Sequence, residues 1–205
     1  MDQKHIGIDF DNTIVLYDKL FYEHALEKGL ISKNLEKTKN AVRNSLIKSQ
    51  QEEVFTEMQG FVYGKLIEEA PIQPGIQAGL YNLIKKGYKI SIISHKTKFP
   101  IIGKKYDLHQ AAKNWLEIKG FLDPSKVGIK KEDIYFNTTF EAKLSKIKEI
   151  GCNFFIDDLL KVLNSLDNKL KKIYFSPSGD NDFPRGVNIK RMKSWEEVVN
   201  LITNY

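Results

Sequence analysis

The chain has 205 residues, 41% of them hydrophobic and 28% charged, and 32 basic against 26 acidic side chains leave a net charge of +6. That is ample for a buried core without a disulfide or metal staple, and it excludes a disordered or fibrous chain. No apolar run approaches the ~20 residues of a membrane span. Asp9 and Asp11 interrupt the first apolar stretch, where a signal peptide would have its core. Cys152 is the single cysteine, so no intrachain disulfide framework exists. These features predict a cytoplasmic protein with no membrane partner. The lysines fall in scattered pairs such as Lys85-Lys86, Lys104-Lys105 and Lys130-Lys131, with no basic stripe interleaved with aromatics, which argues against a nucleic-acid partner.

In chain order, residues 5–10 form a short β-rich run ending in Asp9-Phe10-Asp11-Asn12-Thr13, a buried strand that breaks into a polar loop. Residues 17–70 carry no strand signal. Their apolar residues recur at helical spacing, with Val54, Phe55, Met58, Phe61, Val62 and Leu66 on one helix face and Leu35, Val42 and Leu46 on a poorer one. Pro71 and Pro74 close this block. A helix over 76–86 then ends at Gly87, and a strand over 88–93 delivers Ser94 and His95. Residues 96–106 read as a loop, and Asp107 as the N-cap of a helix carrying Ala111, Trp115 and Leu116. A strand over 134–136, a helix over 141–150 stopped by Gly151 and a strand over 153–156 follow, the last delivering Asp157-Asp158. A helix over 159–166, a strand over 172–175 and a final helix opened by Ser194, with Glu197 completing a capping box, end the chain.

Strands alternating with helices predict an α/β fold with a mostly parallel sheet, which binds ligands at the carboxyl ends of its strands. Three apolar strands end in polar residues: Asp9 to Thr13, Ser94 to Lys96, and Asp157-Asp158. If these strands are neighbours, their polar ends converge on one crevice. A carboxylate can act as a nucleophile and form an aspartyl-phosphate, and a second can protonate the leaving oxygen and then deprotonate water. Clustered carboxylates repel unless a cation sits between them, and hard oxygen ligands favour Mg²⁺. Ser94 can donate to a phosphoryl oxygen, and Lys143, near the start of its helix, can neutralise a phosphate.

Asp9-Phe10-Asp11-Asn12-Thr13, Ser94, Lys143 and Asp157-Asp158, in this order, resemble the four motifs of the haloacid dehalogenase superfamily, and the stretch from Pro74-Gly75 through Leu80, Leu83 and Gly87 to Ser94 resembles the segment before its second motif. The resemblance runs over about residues 4–176 through scattered motifs. It implies a Rossmann-like three-layer core, with Asp9 as nucleophile and Asp11 as general acid/base whose backbone carbonyl meets Mg²⁺. Ser94 and Lys143 hold the phosphoryl group, Asp157 ligates the metal, and Asp158 assists at the metal. Dehalogenase members resemble this pattern without an acid at the position of Asp11, so its presence favours phosphoryl transfer. Residues 17–70 stand where the family inserts helical caps, giving a core of 1–16 and 71–205 and a cap of 17–70. Lys143 lies only 14 positions before Asp157, a short interval for the family, which makes Lys146 its rival.

The expectation is therefore a Mg²⁺-dependent phosphatase acting on a small phosphate monoester, such as a nucleotide or sugar phosphate. The metal set is Asp9, Asp11, Asp157 and Asp158, and the catalytic set Asp9, Asp11, Ser94 and Lys143. The alternatives are a catalytically idle interaction protein on the same fold, or a nucleic-acid-end phosphatase using the basic surface. Within the cap, Tyr17, Tyr22 and His24 are the candidate contacts for substrate choice.

Overall fold

The strands form where Ile, Phe and Tyr cluster and turn residues are absent. In a computed structural model, which describes residues 3–178, 183 and 188–205, they make one six-stranded sheet: β1 (His5–Ile8), β2 (Lys89–His95), β3 (Ile134–Asn137), β4 (Phe154–Asp157), β5 (Lys171–Phe175) and β6 (Ile189–Met192). The strand order is β3-β2-β1-β4-β5-β6 and every ladder is parallel. This is the doubly wound order, whose direction reverses between β1 and β4. The expected α/β class with a parallel sheet is what the chain adopts. Strand β6 escapes the sequence reading, because Ile-Lys-Arg-Met on a sheet edge lacks the apolar run of a buried parallel strand.

The helices are α1 (Asp18–Glu27), α2 (Lys39–Lys48), α3 (Glu52–Phe61), α4 (Ile76–Lys85), α5 (Leu108–Ile118), α6 (Phe140–Ile150), α7 (Leu160–Asn164) and α8 (Trp195–Thr203). The starts at Asp107 and Ser194 follow the side chains anticipated for them, and Thr139 adds a cap the sequence reading did not name. Asp107 accepts from the Gln110 amide at 2.9 Å, Thr139 from Ala142 at 3.1 Å, and Ser194 from Glu197 at 3.2 Å. The Glu197 carboxylate reaches the Lys193 amide, 2.6 Å away and one residue before the usual capping-box partner.

The chain divides into two compact units, the first comprising Met1–Ile14, Ile72–His95 and Gly120–Tyr205, the second Val15–Pro71 and Lys96–Lys119. The first unit is the sheet with its covering helices. Successive strand residues point to opposite faces, and β5 shows the layering. Tyr174 packs in a core with Ile147 of α6 and Val162 and Leu163 of α7, whereas the next residue, Phe175, lies against Trp195 of α8 with ring centroids 5.7 Å apart. Gly7 lets β1 lie flush beneath that first layer, since a Cβ there would sit 2.6 Å from the Phe155 ring.

The second unit holds α1, α2, α3 and α5, with a π-helical turn (Val62–Leu66) and a 3₁₀ turn (Ile67–Glu69) after α3. Of the stripe expected from Val54 to Leu66, Phe55, Met58 and Val62 are buried but Val54 faces outward, and the helix changes pitch after Phe61. Residues 96–119, read from sequence as part of the core, belong with this unit instead. The Trp115 indole donates to the Ala70 carbonyl at 3.0 Å, and Gly64 leaves space that Tyr106 fills, so that a Cβ at Gly64 would overlap the ring. The apolar face of α5 would suit either a sheet or a helical bundle, and periodicity alone does not choose between them. Tyr17 and Tyr22 are buried in the packing of this unit, with the Tyr22 hydroxyl donating to the Lys33 carbonyl at 2.8 Å, while His24 stacks on Phe61.

Candidate active site

The three strands with polar carboxyl ends are the adjacent trio β2-β1-β4. After β1, the Asp9 amide donates to the Ile156 carbonyl of β4 at 2.9 Å, carrying the pairing one residue past the strand. The chain then turns sharply. Asn12 takes φ 59°, a left-handed conformation that Asn tolerates better than most side chains, and the Ile14 amide closes the turn on the Phe10 carbonyl at 2.9 Å. Asp9 is buried and Asp11 half-buried. Asp157 is the last residue of β4 and is fully buried; its Oδ1 accepts the Leu159 amide at 2.8 Å. Asp158 accepts from the Asn12 side-chain amide at 3.1 Å, tying the two loops together.

Lys143 enters from the first turn of α6. Its ammonium donates at 2.6 Å to Asp9 Oδ1 and at 2.6 Å to Asp157 Oδ2, with only 2% of the residue exposed. Burial by itself would lower the lysine's pKa, but the two carboxylates outweigh it and hold the ammonium well above its ordinary range. Lys146, one turn on, instead pairs with Glu149 at 2.6 Å. Lys143 is thus the lysine that joins the aspartates, and Lys146 is not.

One ammonium does not balance this cluster. Carboxylate oxygens of Asp9, Asp157 and Asp158 lie within 4.8 Å of one another. Burial, reinforced by the charge of Asp9, raises Asp157 to about 7 even though Lys143 pulls it down. Burial followed by the charges of Asp9 and Asp157 raises Asp158 well above the carboxylate range. A surplus of negative charge on hard oxygen donors fits a divalent cation of the Mg²⁺ type. Asp11, expected in the metal set, is not one of the three side chains in this group.

Ser94 is buried in β2, and its carbonyl accepts from the Asn137 side chain of β3 at 3.2 Å; its hydroxyl makes no hydrogen bond to the aspartates. His95 is exposed. The sequence reading missed the roles of Asn12 and Asn137. The signal for Asn12 was its place in a tight loop, where a short amide can take positive φ; Asn137 carried none. Thr13 is fully buried, and its hydroxyl has no partner among the described residues.

No family model matches the chain. A candidate nucleotidase of Bacillus cereus is 28% identical over 123 residues, which are 60% of this chain; the chain spans little more than half, 56%, of that relative's length. Among solved structures, a predicted phosphatase of Clostridium acetobutylicum superposes with a TM-score of 0.63 at 16% identity, over 99% of each chain. A hydrolase of the haloacid dehalogenase superfamily from Ehrlichia chaffeensis superposes with a TM-score of 0.59 at 12% identity, over 100% of this chain and 98% of the other. A hydrolase of the same type from Bacillus subtilis, solved with bound magnesium, gives 0.55 at 14% identity, over 98% and 99%. Sheet order and whole-chain superposition agree: this chain has the fold of the haloacid dehalogenase superfamily hydrolases.

Proposed function

We propose that the chain is a phosphatase that hydrolyses a small phosphate monoester through a phosphorylated Asp9. The observation that carries this reading is the buried Asp9–Lys143–Asp157 cluster at the point where the strand order reverses, the place where open α/β sheets take their ligands. In the proposed reaction an Asp9 carboxylate oxygen attacks phosphorus. The bond from phosphorus to the leaving oxygen breaks as Asp11 gives that oxygen its proton. Water then attacks the phosphoaspartate, Asp11 takes the water's proton, and inorganic phosphate leaves with Asp9 restored. Lys143 orients Asp9 and offers its remaining donor capacity to the phosphoryl oxygens, with Ser94 as a further donor. Asp9, Asp157 and Asp158, with the Asp11 carbonyl, would hold Mg²⁺, whose charge would offset that of the phosphoryl group as it is transferred.

The likeness to a candidate nucleotidase favours a nucleotide over a sugar phosphate. Substrate choice is assigned to the second unit as a cap. It joins the first unit two residues after Ser94 and six after Asp9 along the chain. A cytoplasmic setting suits a chain whose single cysteine, Cys152, is a free thiol. The test is a screen of phosphorylated metabolites with Mg²⁺, followed by chelation and by Asp9→Asn. The expected result is turnover of a nucleoside monophosphate that is lost in chelator, restored by Mg²⁺ and absent in Asp9→Asn. Turnover that survives in Asp9→Asn would refute the covalent route, and no turnover of any monoester would favour an idle interaction protein on this fold.

A further inference from the structure

The opposite end of strands β1, β4 and β5 is concave. A cleft of about 780 Å³ opens where these strands begin, between the last turns of α6 and the loop from α7 to β5. Asp9 and Lys4 sit at opposite ends of β1, about 16 Å apart at the rise of an extended strand, so this cleft is distinct from the acidic cluster. Its floor is apolar: Leu144 and Ile147 from α6, Phe154 from β4, and Leu166 and Leu170 from the following loop. Leu144, Leu166 and Leu170 are only partly covered by the core beneath them. Its rim is cationic. Lys4, Lys148, Lys169 and Lys171 all line it and all are exposed.

Among the described residues, no carboxylate lies within ion-pair distance of any of the four lysines. The one acid in the lining, Asp167, spends an oxygen on the Lys169 amide at 2.8 Å. The α6 dipole explains only Lys148, which lies in that helix's last turn. Lys4, Lys169 and Lys171 lie on strand ends and a loop, where no helix terminus rewards a cation. Lys171 rests its ammonium on the Tyr205 ring, 3.3 Å from the centroid, and the charge of Lys4 is close enough to weaken its protonation, a lesser effect than burial. Four like charges around an apolar floor, with a single acid in the lining, oppose folding and are offset when an anion binds.

We propose that this cleft is a binding site for a small amphipathic anion, one apolar body lying on Leu144, Leu166 and Leu170 with a singly or doubly charged head held by Lys4, Lys169 and Lys171. This site is independent of the proposed hydrolysis. The probe is 1-octanesulfonate below its micelle-forming concentration, whose carbon–sulfur bond no phosphatase cleaves. Sulfate serves as the head alone and octyl glucoside as the uncharged body. Calorimetry with the full chain should give one octanesulfonate bound per molecule, and each half-ligand should bind about tenfold more weakly or worse. Lys4→Glu and Lys169→Glu alter exposed side chains and relieve like-charge repulsion, so they should not lower the melting temperature while weakening octanesulfonate about tenfold. Lys48→Glu, at an exposed position at the end of α2 in the second unit, should change nothing. Methyl NMR should show shifts concentrated at Leu144, Ile147, Leu166 and Leu170. Absence of binding, sulfate binding as well as octanesulfonate, undiminished affinity in both reversals, or shifts centred elsewhere would each overturn the proposal.

Discussion

Replacing Lys143 by Met tests the electrostatics of the site without reference to catalysis. Methionine keeps much of the stem that crosses Phe155, whose ring centroid lies 5.6 Å from the ammonium, and deletes only the charge. Asp9 and Asp157, each 2.6 Å from that ammonium, would then face each other with no cation between them. Breaking a buried ion pair by removing one partner costs about 3–5 kcal/mol, which for a chain of this length lowers the melting temperature by about 6–20 °C. The pH dependence gives the sign. Burial and the charge of Asp9 raise Asp157 to about 7 in the folded protein, against about 4 in an unfolded chain. A carboxyl raised on folding contributes stability that is fully present below about pH 4 and is lost as pH climbs through 7. Without the ammonium the folded value moves higher still, so the variant goes on losing stability above pH 7. Thermal melts by circular dichroism in chelator, from pH 5 to pH 8, should show a gap that widens with pH. The double variant Lys143→Met/Asp157→Asn should recover most of it at pH 8. Equal melting temperatures at pH 8, or a gap that does not change with pH, would refute this account.

Three further outcomes are expected. Asp11→Asn should slow hydrolysis of an alkyl phosphate by about 10²–10⁴-fold and of an activated aryl phosphate by much less, because the better leaving group needs less protonation; steady-state rates on both substrates measure this, and an equal penalty argues against an acid role. Gly7→Ala should destabilise by about 1–3 kcal/mol through overpacking, since its new methyl would meet the Phe155 ring at 2.6 Å and the Cys152 sulfur at 2.9 Å; urea unfolding reads it, and an unchanged midpoint contradicts the packing. Trp115→Phe removes the donor to the Ala70 carbonyl and should cost about 1–3 kcal/mol. Hydrogen exchange should then speed up in α5 and leave the amides of β1 and β4 protected, whereas equal loss in both units would show that they unfold together.

Much of this protein is written locally. The caps at Asp107, Thr139 and Ser194 act within three residues of themselves, so their side chains announce the helices they start. The parallel sheet follows from apolar runs too short for helices and separated by helical stretches, and the polar ends of β1, β2 and β4 mark where chemistry would gather. Tertiary structure decided what local chemistry leaves degenerate. Lys143 and Lys146 are one helical turn apart with the same side chain, and only the packing of α6 on β2 and β3 sends one ammonium to Asp9 and Asp157 and the other to Glu149. The assignment of α5 to the second unit is a matter of packing, with its Trp115 indole reaching a carbonyl 45 residues earlier in the chain. The lysine-rimmed cleft gathers Lys4 from just before β1, Lys148 from α6 and Lys171 from β5, and in the sequence they are merely scattered positive charges. Residues distant in sequence meet through the pairing order of the strands, which a parallel sheet sets by burial over its whole area rather than by any single residue.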